Sequence, residues 1–252
     1  MMKFLFQPTI PEFDFQNQLR HSLVDGLMCR DSEYTILDDA SAITTPKDWC
    51  PVGSVEFCED WFTKKCDLNY AKPRNLPECL FHFRWEDVPS NDTNKFLEKA
   101  TSLGVEWCCI KSNDVIKHPK NGAWPVKTLL NEKPLWLKNF QMTAYNSNIK
   151  SEWRIFVFRN KIVGAKNYLG DPFIVPDKGA IENYISILNN KMNVPPAYTL
   201  DVFVDDDTRP LEMHDFFACG LYGFDKDVYP YMLSQWFSWY KLNDGLKKSV
   251  VV

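Results

Sequence analysis

The chain has 252 residues, 45% of them hydrophobic and 15% aromatic, with a formal net charge of -4. That is enough apolar material for a sizeable core, in one large domain or two closely joined ones. The acidic balance, with a pI of about 5.6, argues against a phosphate-tracking nucleic-acid surface, which is usually strongly basic.

In chain order, residues 2–7 are an apolar run stopped by Pro8 and read as a buried strand. Phe15, Leu19, Leu23 and Leu27 fall at four-residue spacing and predict a helix over 14–28, followed by a short strand at 34–37. Strand, helix, strand suggests a small α/β layer. Residues 51–57 read as a turn leading into a helix through Trp61, and Pro73 and Pro77 then break the chain. The expected division is therefore an N-terminal unit over 1–77 and a second over 78–252.

Alternation predicts a strand at 80–85. A capping cluster and Gly104 bracket a helix over 91–103. A buried strand over 105–111 ends in Lys111 and a polar turn. Residues 135–145 and 152–159 read as paired strands, and 161–168 as a third across the tight turn at Arg159 and Asn160. A helix is expected over 180–191. Strands over 198–204 and 210–213 are joined by the acidic turn Asp205 to Thr208, and a last helix covers 228–242. The fold class is α+β.

The 8 Cys contain no CxxC pair, which leaves zinc and redox motifs poorly supported, although the count permits disulfides. Residues 1–8 form no secretory apolar core and no apolar run reaches membrane length. Reduced, buried thiols in a cytoplasmic chain are expected.

Three groups of residues could carry chemistry. Asp201 interrupts an apolar strand, while Glu212 and His214, two apart, share a face of the next. A hairpin can bring the carboxylates together, and a cation between them would relieve their repulsion. A solvated hairpin explains the same residues. Lys111 closes a buried strand and Lys117 follows its turn, so both could hold phosphate as point charges; solvated surface lysines are the alternative. Glu152 and Arg154 lie on one face of a half-buried strand, where the arginine fork calls for a carboxylate or a phosphate. No GxSxG or Walker A motif is present.

Together these pieces resemble the ATP-grasp superfamily, and within it the small bacterial and phage clade named for two arginines and a lysine. The resemblance rests on Pro51 to Phe57, Ile110 to Lys117, Ser151 to Val157 and Tyr198 to Tyr222, in that order. It implies an N-terminal pre-ATP-grasp unit and a core of two subdomains holding ATP between them, with the adenine hinge within 135–145. It also implies a ligase joining a carboxylate to an amine through an acyl phosphate, acting on an amino acid, a peptide or another small carboxylate. Lys111, Lys117, Glu152 and Arg154 would bind the nucleotide, with Lys117 and Arg154 acting on the transferring phosphoryl group. Asp201, Glu212 and His214 would hold magnesium. His214 stands where relatives usually have Asn, so manganese, a supporting role or a weakened site are all open. The competing reading is a catalytically weak ATP-grasp fold that binds nucleotide or inhibits a partner.

Overall fold

The computed structural model describes residues 3–8, 33–36, 43–68, 76–84, 93–112, 119–144, 148–217 and 219–243. The helix expected over 14–28 and the candidate Lys117 lie outside them. Strand β1 (Lys3–Phe6) is the centre of a parallel sheet, between β2 (Glu33–Ile36) and β3 (Trp49–Val52). Phe4, Leu5 and Phe6 are all fully buried, as expected where a parallel strand is covered on both faces. Pro51, which cannot donate to a ladder, falls on the edge strand. Ser54 caps helix α1 (Val55–Asp60), its Oγ accepting from the Phe57 N–H at 3.1 Å.

The strand expected at 80–85 is helical. Pro77 opens a 3-10 turn at Glu78–Leu80, which runs into the short helix α2 (Phe81–Arg84). The apparent alternation is one turn of helix read with the wrong period, and Phe83 packs on Tyr184 with ring centroids 5.1 Å apart. Helix α3 (Thr93–Ser102) ends at Gly104, whose φ of +70° serves as its left-handed stop.

Strand β4 (Trp107–Ser112) is the centre of an antiparallel sheet, flanked by β5 (Gly122–Pro125) and β6 (Phe140–Ala144); helix α4 (Val126–Glu132) follows β5. Neither β5 nor α4 is anticipated by the sequence patterns. The strand expected over 135–145 is half turn: Pro134 starts a 3-10 segment at Leu135–Asn139, and only then does β6 begin. Strand β6 pairs with β4 and not with the 152–159 strand, because Leu137, Phe140 and Met142 join the core beneath α3 and α4.

The largest sheet is antiparallel: β7 (Ser151–Phe158), β8 (Lys161–Gly170), β9 (Ala197–Val204) and β10 (Thr208–Asp215), in the spatial order β10-β9-β7-β8. Arg159 and Asn160, with φ of +48° and +63°, make the tight β7–β8 turn that the sequence suggests. Helix α5 (Lys178–Lys191) starts at Asp177, whose side chain accepts from the Ala180 N–H at 2.6 Å. It covers one face of this sheet, with Ile181, Tyr184, Ile185 and Leu188 packed on Ile155, Val157, Leu200 and Val202. Helix α6 (Tyr229–Leu242) closes a third core shared with the N-terminal sheet, in which Phe62 lies 5.0 Å from Tyr240 and 5.4 Å from Phe217, ring to ring.

The seven described cysteines are all free, and burial pushes the thiols of Cys50, Cys58, Cys66, Cys108 and Cys219 upward, away from the reactive thiolate. Among the described residues, no helix is long and apolar enough to cross a membrane.

Candidate functional site

Every residue of β9 is buried, so the single carboxylate within it must be paired. Backbone register supplies both neighbours: Asp201 lies opposite Arg154 on β7 and opposite Glu212 on β10. The β10 pairing depends on an irregularity. Pro210 pairs with Val202 and Glu212 with Asp201, so Leu211 is an extra residue. Such a bulge is at home beside a proline, which has no N–H to offer the ladder. Its effect is to put Glu212 and His214 on the face of Asp201, opposite the face covered by α5.

Arg154 meets Asp201 with both prongs of its fork, Nε to Oδ1 at 2.9 Å and Nη2 to Oδ2 at 2.8 Å. Its Nη1 donates to the Gly220 carbonyl at 3.2 Å. Arg154 is 7% exposed and Asp201 is fully buried. Burial disfavours the cation, but the hydrogen-bonded carboxylate more than compensates, and the guanidinium stays charged.

On the other side of Asp201, His214 Nε2 lies 2.9 Å from Glu212 Oε1 and 3.7 Å from Asp201 Oδ2. Burial works against a charged imidazole here. The carboxylates of Glu212 and Asp201 outweigh it and raise the His214 pKa to about 9. With His214 protonated, two cations face two anions and the cluster is balanced by its own side chains.

Ligand atoms of Asp201, Glu212 and His214 lie within 4.8 Å of one another. Two carboxylates and an imidazole suit a divalent cation as a donor set, and each carboxylate oxygen has a second lone pair beyond its bond to Arg154 or His214. Imidazole ligates only when neutral, so a cation there has to displace the His214 proton.

The sequence-predicted residues therefore separate. Arg154, Asp201, Glu212 and His214 come together on one sheet face. Glu152 stands two residues before Arg154 and is tied to the group through the Tyr168 hydroxyl. Lys111 lies on β4, its backbone opposite Gln141, in the separate three-stranded sheet.

Sequence reasoning missed Tyr168, Tyr222 and Gly220 as site residues. Tyr168 is the extra residue of a second bulge, since Glu152 pairs with Leu169 and Trp153 with Asn167. Its phenol is pushed up by burial and by the nearby negative charges of Asp201 and Glu152. The Tyr222 ring stacks on Tyr168 with centroids 5.2 Å apart and lies 5.1 Å from the Arg154 Cζ. The available signal was the Gly220-Leu221-Tyr222 run directly after the acidic strand pair.

Residues 141–232, which hold this whole group, match an ATP-grasp domain family, the second family of the clade named for two arginines and a lysine. No curated protein matches the sequence. Among solved structures, the fold is similar to the ATP-grasp ligase PsnB complexed with a minimal precursor, at 10% identity and a TM-score of 0.54, over 93% of this chain and 99% of that one. It is also similar to N5-carboxyaminoimidazole synthetase from Staphylococcus aureus complexed with ADP, at 11% identity and a TM-score of 0.58, over 93% and 77% of the two chains. D-cycloserine synthetase DcsG gives 8% identity and a TM-score of 0.54 over 94% and 100%. The chain is thus of α+β class with a fold similar to that of solved ATP-grasp ligases, and the segment that matches the ATP-grasp domain family carries the charged cluster.

Proposed function

We propose that the protein is an ATP-dependent ligase that activates a carboxylate as an acyl phosphate and passes the acyl group to an amine. The observation that carries this reading is the joining of Arg154, Asp201, Glu212 and His214 on one sheet face inside the matched domain. Proteins of similar fold point the same way: one is a ligase complexed with a precursor, another a synthetase complexed with ADP. The acceptable substrates are amino acids, peptides or small carboxylates.

In this reading Asp201 and Glu212 hold magnesium, with His214 as a third ligand or as the group that stands aside for it. A bound magnesium would neutralise phosphate charge during transfer. Arg154 has five N–H groups and gives three to Asp201 and Gly220, which leaves two for a phosphoryl oxygen or for the acyl phosphate. Lys111 and Lys117 are proposed to hold nucleotide phosphates, and Glu152 to fix Tyr168 beside the arginine. Such chemistry needs charge neutralisation more than a side-chain nucleophile, in keeping with the absence of nucleophile motifs.

The test is to incubate the protein with magnesium, ATP, a pool of carboxylates and hydroxylamine. Acyl phosphates are captured as hydroxamates, readable by mass spectrometry with ADP as co-product. AMP as the nucleotide product, or no turnover with any carboxylate, overturns the ligase reading. The second reading, a fold that binds nucleotide without turning it over, draws on the His214–Glu212 bond that balances the site internally. Tight nucleotide binding with no hydroxamate would select it.

A further inference from the structure

Tyr222 occupies a backbone conformation that its side chain does not favour. Its φ is +48°, and a bulky residue in the left-handed region is a genuine outlier. The other described non-glycine residues with positive φ are Asp67, Lys133, Arg159 and Asn160, all polar or charged; Tyr222 is the aromatic one. Lys133 ends helix α4, and Arg159 and Asn160 form the β7–β8 turn; Tyr222 likewise sits at the first central position of a tight turn, a place where Gly, Asn or Asp is usual and an aromatic residue is not.

The turn that holds Tyr222 is over-determined by its flanks. The Phe224 N–H donates to the Leu221 carbonyl at 2.8 Å, closing the turn across Tyr222 and Gly223, whose φ is +77°. Leu221 and Phe224 are buried, and Phe224 stacks on Phe156 with centroids 4.0 Å apart and planes 5° apart. Strain of this kind persists where surrounding packing enforces it, and it clusters at functional sites.

Burial of the ring does not explain the strain, because Tyr222 is 50% exposed. Its hydroxyl makes no hydrogen bond among the described residues. What the conformation achieves is contact. The ring folds back over Gly220, where an added Cβ would sit 3.2 Å from Tyr222 Cζ, and it covers Arg154 at 5.1 Å while stacking on Tyr168. The same turn thus binds the guanidinium edge through the Gly220 carbonyl and covers a face through Tyr222.

We propose that Tyr222 is a positioning residue for Arg154: the strained turn carries its ring over the guanidinium, shields that face from water, and so holds the remaining N–H groups in place for a phosphoryl oxygen. The last clause rests on the nucleotide reading above; the cap itself does not. The ring is the working part, so phenylalanine replaces it and glycine, which fits the backbone without strain, does not.

The experiment compares wild type, Tyr222→Phe and Tyr222→Gly in the full chain. Solvent exchange of the Arg154 Nη–H groups, which include the two not bonded to Asp201 or Gly220, followed by 15N NMR without ligand, reads the cap. A desolvated cation–π contact predicts roughly tenfold faster exchange in Tyr222→Gly and no change in Tyr222→Phe. The glycine variant keeps or raises the melting temperature, because the backbone strain is gone. Its affinity for a non-hydrolysable ATP analogue with magnesium, measured by calorimetry, falls by a similar factor, and Tyr222→Phe restores it. Unchanged exchange in Tyr222→Gly overturns the proposal. So does faster exchange accompanied by wild-type affinity. Faster exchange in a protein that binds no analogue in any variant supports the cap and defeats the nucleotide reading instead.

Discussion

The two faces of the β10-β9-β7-β8 sheet are built from alternate residues of the same strands, yet they are stabilised in opposite ways. On the α5 side, Ile155, Leu200, Val202 and Met213 join one apolar cluster, where stability follows from area removed from water. On the other side, Arg154, Asp201, Glu212 and His214 are held by matched charge. The apolar face tolerates substitutions of similar volume; the polar face tolerates only changes that leave no charge without a partner. A central strand can therefore carry a buried carboxylate only if a neighbouring strand brings the counter-charge in register.

The largest predicted effect breaks the pairing. Asp201→Leu leaves the Arg154 cation buried and alone, and should cost about 3–5 kcal/mol in urea unfolding. The Arg154→Met, Asp201→Leu double variant should recover most of that loss. If the double is as unstable as the sum of the singles, the polar face is packed like the apolar one and the contrast fails. On the apolar face, Leu200→Ala should cost roughly 3 kcal/mol by opening a cavity. It should leave affinity for the magnesium–nucleotide analogue unchanged, since Leu200 points toward α5.

Next comes ligand stabilisation. At about a hundredfold excess over Kd, a non-hydrolysable ATP analogue with magnesium should add roughly 2.7 kcal/mol to wild type. Asp201→Asn with Glu212→Gln should lose that gain in thermal melts, and Leu200→Ala should keep it.

The smallest effect lies at the sheet margin. Burial opposes the Asp205 carboxylate, but the Asp207 N–H and Arg209 prevail and hold its pKa below the usual aspartate range. A depressed carboxylate adds stability that is present above the unfolded pKa and lost as pH falls through the folded one. Asp205→Asn should remove about 1 kcal/mol near neutral pH and little in strong acid, measured as unfolding midpoints down the pH scale.

The sequence made much of this sheet legible, because its strands are long, its turns carry recognisable chemistry and its helices have caps. The interruption of an apolar strand by Asp201, and the spacing of Glu212 and His214, were visible for the same reason. Two short pieces were misread. Residues 80–85 offer too few positions to separate a period of 2 from 3.6, and Pro134 imposes a turn on what reads as strand. The bulges at Leu211 and Tyr168 were hidden more deeply. A bulge shifts every later side chain to the opposite face, and only the partner strand reveals it. Tyr168 was invisible as a site residue on that account. Gly220 and Tyr222 were hidden because their contact with Arg154 exists only after the chain turns back.

The shared core between the N-terminal sheet and α6 sets an order of events during synthesis. Phe62 packs on Trp236, Phe237 and Tyr240, and Lys241 Nζ donates to the Lys47 carbonyl at 2.8 Å across 194 positions of sequence. Phe4, Leu5 and Phe6 belong to the same cluster. On the ribosome these early apolar residues emerge well before their partners, and no local contact can substitute for α6. Translation at about 5–20 residues per second keeps that surface uncovered for on the order of ten seconds or more. The β7–β8 hairpin, by contrast, can close as soon as Gly170 has emerged. Until α6 arrives, the N-terminal aromatic surface lacks the partners that complete its core.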